Sequence, residues 1–232
     1  MEIINLNKSF GGNIILEDIH LRIYPQRINA IIGPSGSGKS TLLRIIAGLD
    51  HEFSGSIEPI GQNRIGYIFQ EPCLIQWKTV RKNMCYALSG HVDEKKLLDY
   101  SKILGLTDYL NYYPSQLSGG LLQRVNLLRG FLYPATLLLM DEPFKSLDIK
   151  NKKAAMELMI KIQQERNLTV VLVTHSLEEA VALGDYIYIM PNKPKGQLEC
   201  VINPRDSIHE KSSTENKIEL LNTLKEILNT GH

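Results

Sequence analysis

Cysteine is scarce in this chain. The three cysteines among 232 residues, Cys73, Cys85 and Cys200, show no C-x-x-C spacing. They read as reduced, partly buried thiols of a cytosolic protein rather than as a disulfide framework. Long apolar runs are also missing: none approaches the roughly 18–20 residues that span a bilayer. Residues 1–10 lack the basic segment and apolar stretch of a signal peptide. Excess charge of either sign is absent, with 26 basic and 25 acidic residues leaving a formal +1, so no large electrostatic footprint for nucleic acid is expected. There is no internal repeat and no low-complexity segment. What remains is ordinary: 43% hydrophobic and 22% charged residues predict a packed core. The length suits one large α/β domain with room for an inserted subdomain. The expectation is a soluble, cytoplasmic chain that serves a membrane only through another protein.

Residues 1–24 alternate apolar and polar around Gly11-Gly12-Asn13, which predicts antiparallel strands joined by a tight turn. Residues 28–32 form a short apolar strand, followed by a glycine-rich loop and a helix from about Lys39 to Ala47. Residues 64–69 predict another strand. From about Pro72 to Tyr113 helical patterning replaces β-branched density, which predicts a mostly helical insertion. Residues 137–140, 169–174 and 186–190 are continuous apolar runs of the kind found in buried parallel strands. A long helix over 150–165 stands between the first two, and this alternation predicts a parallel-sheet core. Residues 191–213 read as a loop-rich edge. Residues 215–228 place Ile218, Leu221, Leu224, Ile227 and Leu228 at helical spacing, preferably as a helix packed on the domain, with a partner-binding helix as the alternative.

Gly33-Pro34-Ser35-Gly36-Ser37-Gly38-Lys39-Ser40-Thr41 fits G-x-x-x-x-G-K-[ST]. Its glycines let backbone N–H groups converge on phosphate oxygens, Lys39 reaches the β- and γ-phosphates, and the Ser40 hydroxyl binds Mg²⁺. The helix starting near Lys39 adds the positive end of its dipole. Asp141-Glu142 closes the apolar run 137–140, and strand C-termini of parallel sheets are where ligands bind. An aspartate there holds Mg²⁺ through water, and the adjacent glutamate polarises an attacking water. Leu117-Ser118-Gly119-Gly120 lies between these two motifs and adds a second glycine-rich, serine-bearing turn. Taken alone it is a helix cap.

The phosphate loop, Gln70, LSGG, LLLMDE, Ser146-Leu147-Asp148 and His175 occur in one order, and with them the chain resembles the ATP-binding-cassette (ABC) ATPases over essentially its whole length. The resemblance implies an α/β P-loop NTPase (RecA-like) fold: a parallel-sheet core with an N-terminal antiparallel β subdomain and an inserted α-helical subdomain. In domain terms, 1–71 and 126–232 form the nucleotide-binding core and 72–125 the helical subdomain with the signature. It implies that Gln70 contacts Mg²⁺ and the attacking water. Ser118, Gly119 and Gly120 match the signature that binds the γ-phosphate of ATP held by a second copy. Asp148 crosses the dimer interface, and His175 hydrogen-bonds the γ-phosphate. Phe10 stands where an aromatic stacks on adenine; the alternative is a core aromatic of an edge strand.

Two passages narrow the likeness. Residues 69–77 are similar to the QEPxLLPW stretch, and residues 174–183 to the THDxEEAxxL stretch, of importer ATPases for nitrate, sulfonates and taurine. The short segment after the core fits the same group. The expected function is an ATPase that binds ATP and Mg²⁺ and works as a head-to-tail dimer. It would power import through membrane permease subunits, fed indirectly by an extracytoplasmic solute-binding protein. The alternative is a soluble ABC ATPase acting on ribosomes or nucleic acid. Leu74, Ile75 and Trp77 are expected to anchor a membrane partner, or else to pack inside the helical subdomain. Four positions depart from the family pattern: Leu121 for a polar residue, Lys145 for a small one, and Asn126 and Gly130 for alanines.

Overall fold

The computed structural model describes residues 1–58, 64–88, 90, 92–192 and 195–203, together with residues 222 and 224. In chain order the elements are β1 (Glu2–Phe10), β2 (Asn13–Arg22), β3 (Ile28–Ile32), α1 (Lys39–Ile46), β4 (Ser54–Glu58) and β5 (Ile65–Ile68). Then come α2 (Val80–Ala87), α3 (Glu94–Ile103), α4 (Gly119–Leu132), β6 (Leu137–Asp141) and α5 (Ile149–Arg166). The last are β7 (Thr169–Thr174), α6 (Leu177–Leu183), β8 (Tyr186–Ile189), β9 (Lys195–Gln197) and β10 (Glu199–Ile202). They divide into two compact units, Met1–Asn63 with Thr169–His232, and Arg64–Leu168.

In the first unit, β1 pairs antiparallel with β2 and with β4, and β9 joins β2 in parallel. The turn between β1 and β2 is tight, Phe10 facing Asn13. A second set of strands is the parallel one: β3 lies between β7 and β8 and runs parallel to both. The strand β10 closes on β8 in antiparallel fashion. Every residue of β3 and of β7 is buried, so these strands carry continuous apolar runs rather than an alternating pattern. Leu224 is helical and fully buried among Ala30, Ile32, Ala180, Val181, Ile187 and Ile189. That agrees with a tail packed on the domain; Asn222 is helical and exposed, and the remaining residues of the expected helix lie outside the described residues.

In the second unit, β5 and β6 pair in parallel, and the segment between them is helical as expected. Thr79 caps α2, accepting a hydrogen bond from the Lys82 N–H, and Asp93 caps α3 through the Lys96 N–H. The core holds Phe131 and Phe144 with Val125, Leu127 and Leu128 of α4 and Leu158, Met159 and Ile162 of α5. The expected boundaries of the helical subdomain, 72 and 125, fall inside this unit, which groups β5, β6 and α5 with the helices. Three strands were not expected. The peptides SGSIE (β4), KGQ (β9) and ECVI (β10) are short, and β4 and β10 are mostly exposed. They become strands by pairing with a neighbour rather than by any apolar run of their own.

Gly130 costs α4 about 1 kcal/mol of intrinsic helix propensity relative to alanine. Its environment explains the departure: a Cβ built there would fall inside the Ile68 side chain of β5. Helix and strand are close enough that only glycine fits. Gly130→Ala is therefore expected to destabilise the protein by about 1–3 kcal/mol through overpacking, despite the better propensity. Chemical denaturation of the two proteins under matched conditions checks the sign.

Candidate functional site

The first unit supplies the phosphate loop. β3 ends at Ile32, and the loop Gly33–Thr41 carries the chain into α1. Gly36 and Gly38 have φ of 83° and 92°, a left-handed backbone that turns successive N–H groups toward one point. A Cβ on Gly38 would also press on Leu16 and Ile15. Gly38 stands at the N-cap of α1 and offers no side-chain cap. The five other α-helices described each begin on a capping Ser, Thr or Asp: Thr79, Asp93, Ser118, Asp148 and Ser176. The N-cap of α1 thus brings no side-chain acceptor of its own to the helix start, which suits an anion. Lys39 is buried, and its ammonium donates to the carbonyls of Gly33 (2.9 Å) and Pro34 (2.5 Å) and to Ser37 Oγ (3.3 Å). Ser40 is exposed at the start of the helix.

Parallel register sets what lies beside this loop. Ile32 pairs with Thr174 on β7, so His175 leaves the sheet at the same end as Gly33. His175 is exposed. Its turn is held by Thr174 Oγ1, which donates to Glu179 Oε2 (2.6 Å) and accepts from the Ser176 N–H (3.1 Å). Phe10 is half exposed at the end of β1, so it is not a core aromatic. The Lys8 ammonium lies 4.4 Å from its ring centroid, and that ammonium is buried and fixed by Asp50 Oδ1 (2.8 Å) and the Glu52 carbonyl (2.7 Å). The ammonium holds the Asp50 carboxyl below its usual range.

The second unit supplies the carboxylates. Asp141 and Glu142 are both nearly buried at the end of β6, and Glu142 takes a positive φ of 43°. Ile68 pairs with Met140, so Gln70 and Asp141 leave paired strands at one end. Gln70 is exposed. Helix α4 ties this region together from inside. Gln123 Nε2 donates to the Pro143 carbonyl (2.7 Å) and Asn126 Nδ2 to the Phe69 carbonyl (2.9 Å). Arg129 donates to the Cys73 carbonyl and to Asn126 Oδ1 (3.0 Å). Sequence reasoning marked Asn126 only as a departure and passed over Gln123; a polar residue on the buried face of a helix was the available signal.

At the other end of α4, Ser118 and Gly119 are exposed. Ser118 Oγ accepts from the Leu121 N–H (3.4 Å), so the fifth signature position contributes its backbone. Asp148 caps α5, accepting from the Asn151 N–H (2.9 Å) and side-chain amide (2.6 Å), and these bonds lower its carboxyl pKa. The expected anchor Leu74-Ile75-Trp77 divides: Leu74 is buried, Ile75 partly so, and only Trp77 stands out, at 78% exposed.

A hard divalent cation fits the donor chemistry available. In the second unit the Gln70 amide oxygen and the Asp141 carboxylate, and in the first the Ser40 hydroxyl, are each oxygen donors of the kind Mg²⁺ prefers. No group of three or more His, Cys, Asp or Glu among the described residues could hold a metal by itself.

Comparison with known proteins agrees with this geometry. The sequence model of the ABC transporter family matches residues 16–145. The chain is 41% identical over 191 residues to the aliphatic sulfonates import ATP-binding protein SsuB of Corynebacterium glutamicum, covering 80% of this chain and 77% of that protein. It is 39% identical over 187 residues to a protein of the same description from Pseudomonas syringae pv. tomato, covering 81% and 80%. Among solved structures it matches a dimeric ATP-binding cassette in a post-hydrolysis state bound to ADP and Pi, with a TM-score of 0.73 and 30% identity over 87% of this chain and 97% of that one. By its motifs, its fold and these relatives, the chain belongs to the ABC transporter family.

Proposed function

We propose that this chain is the nucleotide-binding, ATP-hydrolysing subunit of an importer for a small solute of the sulfonate type. The observation that carries the ATPase reading is the phosphate loop: two left-handed glycines, an uncapped α1 and a buried Lys39 ammonium held among loop carbonyls. Triphosphate oxygens offer that ammonium better acceptors than neutral carbonyls, because charge-assisted hydrogen bonds are the stronger ones. The backbone N–H groups and the dipole of α1 bind the same anion. No helix among the described residues is long and apolar enough to cross a membrane. Import therefore needs permease subunits as partners, with the chain at the cytoplasmic face and a solute-binding protein acting from outside. The solute class follows from the relatives' names.

Ser40, Gln70 and Asp141 would hold Mg²⁺, which would supply positive charge to offset that of the triphosphate. Glu142 accepts a hydrogen bond from the attacking water and orients it. His175 hydrogen-bonds the γ-phosphate, and Phe10 offers one face of its ring to adenine while Lys8 covers the other. Ser118, Gly119 and Gly120 cover the γ-phosphate of ATP on a second copy, and Asp148 lies in the segment that meets that copy. ATP binds both copies only when they are closed, so it shifts the population toward the dimer, and loss of the γ-phosphate releases it.

Two substitutions test this. Glu142→Gln should leave ATP binding intact and slow hydrolysis by about 100-fold or more, leaving an ATP-bound dimer visible by size exclusion. Unchanged turnover removes Glu142 from the mechanism. Ser118→Asp keeps a good helix cap but places a carboxylate against phosphate. It should preserve the melting temperature and ATP binding by a single copy while abolishing dimer formation and hydrolysis. Loss of binding by the single copy would show that Ser118 is not a contact made to a second copy's nucleotide.

A further inference from the structure

The turn after β6 carries a cation that the proposed mechanism does not use. Lys145 Nζ lies 2.9 Å from Glu142 Oε2. The two side chains differ in setting: that of Glu142 is 9% exposed and that of Lys145 50%. The turn between them is rigid. Phe144 is fully buried, the Pro143 carbonyl is held by Gln123, and the Lys145 N–H donates to the Glu142 carbonyl (3.3 Å). Glu142 itself has the left-handed φ of 43°. The backbone of the turn is thus held and the Glu142 side chain is buried, whereas half of the Lys145 side chain reaches solvent. A carboxylate that orients and polarises water does so with its lone pairs and its charge. An ammonium 2.9 Å from Oε2, placed as an ion pair and not aligned as a hydrogen bond, offsets that charge.

We infer that Lys145 restrains Glu142, so that hydrolysis proceeds only when this ion pair parts. Lys145 is a positioning residue, and its role rests on the reading of Glu142 as the group that polarises the attacking water. The pair stands where such a restraint can be released. Lys145, Ser146, Asp148 and Ile149 are exposed, Ile149 to 89%, in the segment proposed above to meet a second copy. Closure against that copy gives the ammonium other acceptors, and hydrolysis before closure is suppressed. The small residue expected here from the family resemblance would leave the glutamate unrestrained, so this device belongs to this chain rather than to the shared chemistry.

The test is steady-state ATP hydrolysis by the purified full-length chain against ATP concentration, with melting temperatures to confirm folding. Lys145→Met should raise kcat about fivefold, the scale of one partly exposed ion pair, with KM unchanged. Lys145→Ser should do the same, and Lys145→Arg should behave as the parent because it keeps the charge. In the double variant Lys145→Met, Glu142→Gln the rise should vanish, since the effect runs through the carboxylate. A kcat that stays level or falls in Lys145→Met overturns the inference, as does a rise in KM alone, which would make Lys145 a contact to the nucleotide. A rise that survives in the double variant also overturns it. Glu142→Gln with parental turnover marks the separate failure of the mechanism itself.

Discussion

Strands buried on both faces leave their ends as the places where polar chemistry meets solvent, and that constraint organises both units. All residues of β3, β6 and β7 are buried. Most side chains within them are apolar and pack, and the polar ones, such as Asn29 and Thr174, hydrogen-bond to neighbouring backbone and side chains. Parallel pairing then puts successive strand ends on one side: Gly33 beside His175 in the first unit, Gln70 beside Asp141 in the second. A phosphate loop, a histidine, a glutamine and two carboxylates that are distant in sequence become neighbours within their unit because hydrogen-bond register requires it.

Helix α4 adds a second level of order. Its first residues form an exposed turn, while Gln123 and Asn126 reach from its buried face to the carbonyls before Gln70 and after Glu142. Displacing the helix would leave these buried groups without partners, which costs more than the bonds contribute when formed. Gly130 brings the helix against Ile68, and Asn126 gives it polar contacts along the same face. The two departures from the family's alanines are thus two parts of one close helix–strand contact. The ion pair of Lys145 and Glu142 belongs to the same region.

Much of this was legible from residue order. The buried strands 28–32 and 169–174 stand where continuous apolar runs placed them, because full burial leaves a signal in every residue. The cap Ser118 was readable from residue type alone. The strands β4, β9 and β10 were not, because their stability comes from a partner strand. Trp77 and Leu74 were read as equals, yet one is exposed and the other buried; three positions apart on an irregular segment, they face different ways for reasons of packing. Asn126 was noticed as unusual, but its partner, a backbone carbonyl 57 positions earlier, has no sequence signature.

The sequence by itself determined the chemistry: a loop that only glycines can form, a lysine within it, two carboxylates at a strand end and a serine that both caps a helix and faces outward. These depend on residue type and local conformation, which neighbours in the chain dictate. The tertiary structure alone decided which groups restrain one another: Lys8 over Phe10, Asn126 on Phe69, Ile68 against Gly130 and Lys145 on Glu142. Such pairs depend on distances between side chains set by packing and by the path of a turn, and a one-dimensional order of residues does not contain those distances.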